Sequence, residues 1–321
     1  MNYIKQLIMG NYGSHGNPIN FVRSKFYNKY PYMFLQSAFP SAVEVELTND
    51  CNFRCPHCPR THNMTRPVGY MDLKLVLSII SEIAQHPRSM LRIVGLGEPA
   101  MHPDLKDILT FAKNKNVVTE FTTNGTLLEV LTPDEVINSG IDYLGVSIDG
   151  FDAASYGKRR VGGDYETVKR NVQLLHEEKE KKHSNTPIVA IRNVAFRNDD
   201  PEKLNTYKLK WFKYAEVVSF NTFTPNRPIV TDGPYKRCHS IKFELKINWN
   251  GDVPLCRFQC AFREEEIIQN AHDSTLKDIW MSPRLQAART IHRKKDLDKL
   301  SYCKSCPKVQ ISTPTIRKFW K

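Results

Sequence analysis

From residue 43 to about residue 225, short apolar, β-branched runs alternate with longer stretches of helical periodicity. The pattern predicts strands over Val43–Leu47, Leu91–Val94, Val117–Thr123, Tyr143–Ile148, Ile188–Val194 and Val217–Phe223. Between them it predicts helices over Leu73–Gln85, Leu105–Lys113, Pro133–Asn138, Tyr165–Lys182 and Glu202–Tyr214. Strand–helix repetition of this kind implies a parallel sheet with right-handed crossovers, open or curled into a partial barrel. Chemistry in such folds sits at the C-terminal ends of the strands, so functional motifs should follow strands directly.

The alternation stops after residue 225, where Pro225, Pro228, Gly233 and Pro234 mark a linker. Phe243–Asn248, the Asn250–Gly251 turn and Val253–Cys256 then predict a β-hairpin, followed by a helix around Leu276–His292. The expected organisation is an extension over 1–41, an α/β domain over 42–225 and a small appended domain over 226–321.

Composition changes this picture little. With 40% apolar and 10% aromatic residues in 321, the chain can build a real core. No apolar run reaches the roughly 18–20 residues that span a bilayer. The N-terminus lacks the apolar stretch and cleavage site of a signal peptide, so a soluble, cytoplasmic protein is expected. The net charge of +12 suits an anionic partner. The clusters EEKEKKH (177–183) and RKKDLDK (293–299) mix signs and read as solvated helix surface.

Cysteine placement changes the picture most. Three of the eight, Cys51, Cys55 and Cys58, lie directly after the first strand, and the other five, Cys238, Cys256, Cys260, Cys303 and Cys306, lie in the last third. Without a secretory signal, this distribution suggests two metal sites rather than disulfides. The first group, CNFRCPHC, offers three thiolates with no obvious fourth, which suits a [4Fe–4S] cluster with one open iron. A zinc knuckle completed by His57 or His62 is the alternative on spacing alone. In the second group Cys238, Cys256, Cys303 and Cys306 make a C-x17-C…C-x2-C set for zinc or iron–sulfur; Cys260 is left over, to replace a ligand, touch substrate or, by default, rest as a buried thiol.

The C-x3-C-x2-C loop after the first strand resembles the signature of the radical S-adenosylmethionine (SAM) superfamily. The residue before the last cysteine is usually aromatic there and is His57 here. The resemblance implies that the open iron chelates SAM, whose cleavage gives a 5′-deoxyadenosyl radical that abstracts hydrogen from substrate. Gly97, Glu98 and Pro99 look like the family's GGEP motif, with Leu96 in place of the first glycine. Strands three and four end in TTNG and SIDG. On residue chemistry alone their polar groups could equally be ordinary turn residues. Similarity to the family makes Asn124 and Ser147 SAM contacts. SYGKRRVGG resembles the segment whose arginine meets the SAM carboxylate, and Arg160 is the better match beside Arg159. Arg192 interrupts an apolar strand and needs a partner, in the site or in a structural ion pair. Asp149, Arg192, His239 and Glu244 are conceivable bases, and no catalytic residue is assigned.

The second cysteine group resembles a twitch (shortened SPASM) domain, which implies one auxiliary [4Fe–4S] cluster. The resemblance covers about residues 42–307 and implies a partial (β/α)6 TIM-like barrel with a small C-terminal cluster domain. It implies an iron–sulfur, SAM-dependent oxidoreductase served by an electron donor such as flavodoxin or ferredoxin. About 40 residues precede the first strand, too few for a peptide-binding winged-helix segment. The expected substrate is therefore a sugar-like or nucleotide-linked metabolite, oxidised or rearranged. The alternatives are a peptide or protein maturase and, from another class, a non-enzymatic metal-stapled nucleic-acid-binding protein. The last lacks a run of interleaved basic and aromatic residues.

Overall fold

The structure, a computed structural model, describes residues 38–196, 198–223, 238, 240–257, 266–301, 303, 304 and 306. The expected linker prolines, His239, Cys260 and nearly all of the N-terminal extension lie outside the described residues.

Six strands alternate with helices as the pattern predicts. They are β1 (Ala42–Val45), β2 (Met90–Ile93), β3 (Thr119–Thr123), β4 (Tyr143–Ser147), β5 (Ile188–Phe196) and β6 (Val217–Phe223). The helices are α1 (Pro59–Asn63), α2 (Leu73–Ala84), α3 (Leu105–Asn114), α4 (Leu127–Val130), α5 (Pro133–Asn138), α6 (Ala153–Arg159), α7 (Tyr165–Lys181) and α8 (Pro201–Trp211). In α2, Leu75, Val76, Ile79, Ile80 and Ile83 recur at helical spacing and are buried, while Asp72 caps the start by accepting from the Leu75 amide. Each such apolar side chain contributes about 1.5–3 kcal/mol on burial. No helix among the described residues is long and apolar enough to cross a membrane.

Beyond β6 the chain departs from the expected hairpin. After α9 (Ser240–Phe243), β7 (Glu244–Ile247) pairs in parallel with β1, giving the sheet order β6-β5-β4-β3-β2-β1-β7. All four β7 residues are buried, which fits a strand covered on both faces rather than a hairpin arm. The antiparallel pair is instead β8 (Asp252–Pro254) with β9 (Ile267–Asn270). The single helix expected over Leu276–His292 is two, α10 (Leu276–Met281) and α11 (Pro283–Lys294). Pro283 takes the first position of α11, and the Ser282 side chain caps it by accepting from the Leu285 amide. In the 177–183 cluster Lys179 is buried and paired with Glu216, not solvated.

The seven parallel strands form a TIM-like partial barrel with a small C-terminal domain. One parity of each strand faces the helices and is apolar: Val43, Val45, Leu91, Ile93, Phe121, Leu144, Val146, Val189 and Ile191 belong to the core. The other parity faces the lumen and carries charge. Lys246, Glu44, Arg92 and Glu120 stand opposite one another across four adjacent strands. Their signs alternate. Arg92 contacts Glu120 at 2.9 Å and Glu244 at 3.0 Å, and Lys246 contacts Glu44 at 3.1 Å. Arg257 closes the network on Glu44 at 2.7 Å and Glu244 at 3.0 Å.

Candidate functional site

The cysteine loop leaves β1 and folds over the strand ends. The Cys58 amide donates to the Cys55 carbonyl at 3.0 Å, a turn that runs straight into α1, while Arg60 clamps the loop onto the Asn49 carbonyl and Asp50. The loop after β2 crosses beneath it, with the Glu98 amide donating to the Asp50 carbonyl at 2.7 Å. A Cβ at Gly97 would stand 2.2 Å from the Asp50 carbonyl oxygen and 2.4 Å from that of Thr48, so only glycine permits this crossing.

These loops and the ends of β3 and β4 enclose a cavity of about 240 Å³. It is lined by Cys51, Cys55, Cys58, Gly97, Glu98, Asn124, Ser147 and Arg160, with His57, Thr122 and Thr123 among the other walls. Pro99 and Arg192 do not line it. Pro99 opens a buried turn behind Glu98, and Arg192 lies lower in the barrel, paired with Glu120 and donating to Thr122 Oγ1 at 2.8 Å. Gly145 makes room there, since a Cβ would stand 2.7 Å from the Arg192 Cζ. Glu244 belongs to the lumen network as well. A shallower groove of about 360 Å³ between α5 and α7 holds no cysteine and lies away from this chemistry.

Of the two adjacent arginines, Arg160 reaches the cavity, and Arg159 turns away to pair with Asp199. Arg160 Nε meets the fully buried Asp149 at 2.6 Å, and His57 Nε2 meets the same carboxyl oxygen at 3.2 Å. Burial opposes ionisation of Asp149. Arg160, the His57 hydrogen bond and the Val194 amide outweigh it and hold the carboxyl below its ordinary range. Asp149 is thus a hub joining the cysteine loop to Arg160. The sequence marks His57 as a departure from an aromatic and as an alternative zinc ligand, and neither reading foresees its contact with Asp149.

Burial pushes the Cys55 thiol up to about 11, against the pull of Arg160, and the neighbouring thiols of Cys58 and Cys51 add to the rise. Burial likewise raises Cys51. The second cysteine group also comes together. Cys303 is raised by burial first and then by the thiols of Cys256, Cys238 and Cys306. Among the described residues no three His, Cys, Asp or Glu side chains converge as the ligands of one ion would. Cluster thiolates stand further apart, since each binds its own iron. Two gathered thiol groups, one of three beside a cavity and one of four, fit one open and one fully ligated cluster.

Glu98 accepts from Thr123 Oγ1 at 2.8 Å and from the Asn124 and Ala100 amides at 2.6 and 3.2 Å. Burial outweighs these donors and raises it from 4.5 to about 7. The folded protein therefore holds a proton that the unfolded chain has already lost. Without ligand, stability should be intact below pH ~4.5 and fall by roughly 3 kcal/mol as pH rises to ~7. Glu98→Gln should flatten that slope, as urea midpoints at pH 5 and pH 8 would show.

A parallel partial barrel with thiols and a buried acid–arginine pair at its strand ends defines a barrel enzyme with an iron–sulfur-type site. The radical SAM superfamily matches residues 45–203, and an iron–sulfur cluster-binding domain (SPASM) matches residues 238–307. The chain belongs to the radical SAM superfamily, and its cofactors are SAM and [4Fe–4S] clusters. It is 28% identical over 291 residues to the tungsten-containing aldehyde ferredoxin oxidoreductase cofactor-modifying protein of Pyrococcus furiosus, covering 75% of this chain and 80% of that one. It is 27% identical over 192 residues to the AdoMet-dependent heme synthase of Methanosarcina barkeri, covering 60% of this chain but only 52% of that one. The fold is similar to that of BtrN in complex with AdoMet and 2-DOIA, with a TM-score of 0.60, 17% identity, and 88% of this chain and 98% of that one covered.

Proposed function

We propose that Cys51, Cys55 and Cys58 hold a [4Fe–4S] cluster at the cavity and that SAM binds beside it, while Cys238, Cys256, Cys303 and Cys306 hold the auxiliary cluster. The observation that carries this reading is the single cavity lined by all three thiols, Glu98, Asn124, Ser147 and Arg160. When bound, cluster and SAM supply one-electron cleavage of the sulfonium and removal of a hydrogen atom from substrate. The chain's own residues bind and orient. Arg160, its charge held by Asp149, would meet a carboxylate, for which a guanidinium fork is suited. Glu98 and its loop would receive the SAM ammonium, and Asn124 and Ser147 the ribose side.

The substrate on this reading is a small, polar, sugar-like or nucleotide-linked metabolite, oxidised or rearranged, with electrons from a flavodoxin- or ferredoxin-type donor. The side chains packed below the cavity support it, because Arg192, Glu120, Arg92 and Lys246 are charged and ion-paired rather than apolar. The relative named for cofactor modification, matched over most of its length, also favours a metabolite. The test is deuterium transfer into 5′-deoxyadenosine during turnover with deuterated sugar phosphates, nucleotide sugars and peptides. Transfer from the polar metabolites is expected. Transfer from peptides alone would overturn the metabolite reading and leave a maturase.

A further inference from the structure

The second cysteine group has a polar neighbour that no sequence motif singles out. His292, on the last turn of α11, is 3% exposed, and its Nε2 lies 3.2 Å from Cys303 Sγ. One turn earlier on the same face, Arg289 is equally buried. Its Nε donates to the Ile241 carbonyl at 3.0 Å and its Nη1 to the Trp280 carbonyl at 2.7 Å, with the guanidinium 3.7 Å from the centre of the Trp280 ring. Among the described residues no carboxylate pairs with it, and its buried Nη2 has no acceptor. A buried guanidinium without a carboxylate needs negative charge nearby. The Ile241 segment that accepts from Arg289 also places its amide against the Cys238 thiol. His292 therefore touches the four-cysteine group directly, and Arg289 is joined to it through the Ile241 segment.

We propose that His292 donates an N–H···S hydrogen bond to the Cys303 ligand of the auxiliary cluster and, with Arg289 as its buried counter-cation, sets that cluster at a raised reduction potential. The inference rests on the cluster assignment made above. Its chemistry follows from the ligand state. A cluster-bound thiolate can only accept, so the nitrogen facing it must carry the proton. A hydrogen bond to the sulfur and a nearby positive charge both stabilise the more negative, reduced cluster, and these are among the factors that set iron–sulfur potentials. His292 is a positioning and tuning residue: it touches the ligand, not the substrate.

The experiment uses the full chain with Cys51, Cys55 and Cys58 changed to Ala, so that the auxiliary cluster is the only one present. In a redox titration followed by electron paramagnetic resonance, His292→Phe should lower the reduced-to-oxidised ratio at a fixed potential about tenfold, ~59 mV for a one-electron couple. His292→Gln, which keeps a donor, should recover most of that ratio, and Arg289→Met should shift it in the same direction as Phe. Nitrogen-15 histidine labelling without any change at 292 covers the case in which the Phe variant fails to assemble. One weakly coupled nitrogen supports the hydrogen bond. Strong coupling from direct iron ligation, no coupling, or an unchanged potential in His292→Phe overturns it. If the three-cysteine variant holds no cluster at all, the assignment of Cys238, Cys256, Cys303 and Cys306 falls as well, and that outcome is distinct from an intact cluster with unmoved potential.

Discussion

Changing Cys51, Cys55 and Cys58 together to alanine is expected to reduce 5′-deoxyadenosine formation to the no-enzyme background. The assay is anaerobic reconstitution with iron and sulfide, followed by SAM and a strong reductant. Iron content should fall from about eight to about four per chain, because only the four-cysteine group remains to hold a cubane. The loss should be chemical and not structural. Cys51 and Cys58 are half-buried loop residues, and Arg60, Asp50 and the Glu98 amide hold the loop without using any thiol. A circular dichroism spectrum matching wild type, with activity gone, is the expected pair of results. Product persisting in the variant would remove the cluster assignment at these three residues.

Arg92→Leu is expected to have the largest effect on stability. Arg92 is buried among three carboxylates, Glu44, Glu120 and Glu244, whose attraction overcomes burial and holds its guanidinium charged. Removing it leaves these acids facing one another in the lumen with fewer cations. Breaking a buried ion network from one side costs about 3–5 kcal/mol, more than the network's own net contribution, since the remaining charges stay desolvated. Urea denaturation of the purified protein would read this as a lower midpoint. The double variant Arg92→Leu/Glu120→Gln should recover part of the loss, as the two residues share one contact. A loss within 0.5 kcal/mol, the scale of an ordinary surface substitution, would mean that the lumen is wet and the network weak.

The sequence alone determined the strand–helix order and the position of each motif. Local signals carry that information: period-2 and period-3.6 patterning, caps and turn residues act within a few positions. Thus β1 to β6 lie within a residue or two of their predicted bounds, and CNFRCPHC, GEP, TTNG and SIDG all fall at strand ends. The charged lumen was written there too, as single charges inside apolar strands: Glu44, Arg92, Glu120 and Arg192. Their meaning was not. Period 2 says that these residues share a parity, but only strand register and sheet curvature bring that parity to one interior where the charges pair. The same limit explains the hairpin. Asn250–Gly251 does make a turn, yet β7 gains more from joining β1 in the buried sheet than from pairing with β8. Likewise, nothing local distinguishes Arg160 from Arg159, joins His57 to Asp149 across 92 positions, or sets His292 against Cys303. Contacts between distant segments depend on how whole elements pack, and those were decided by the tertiary structure.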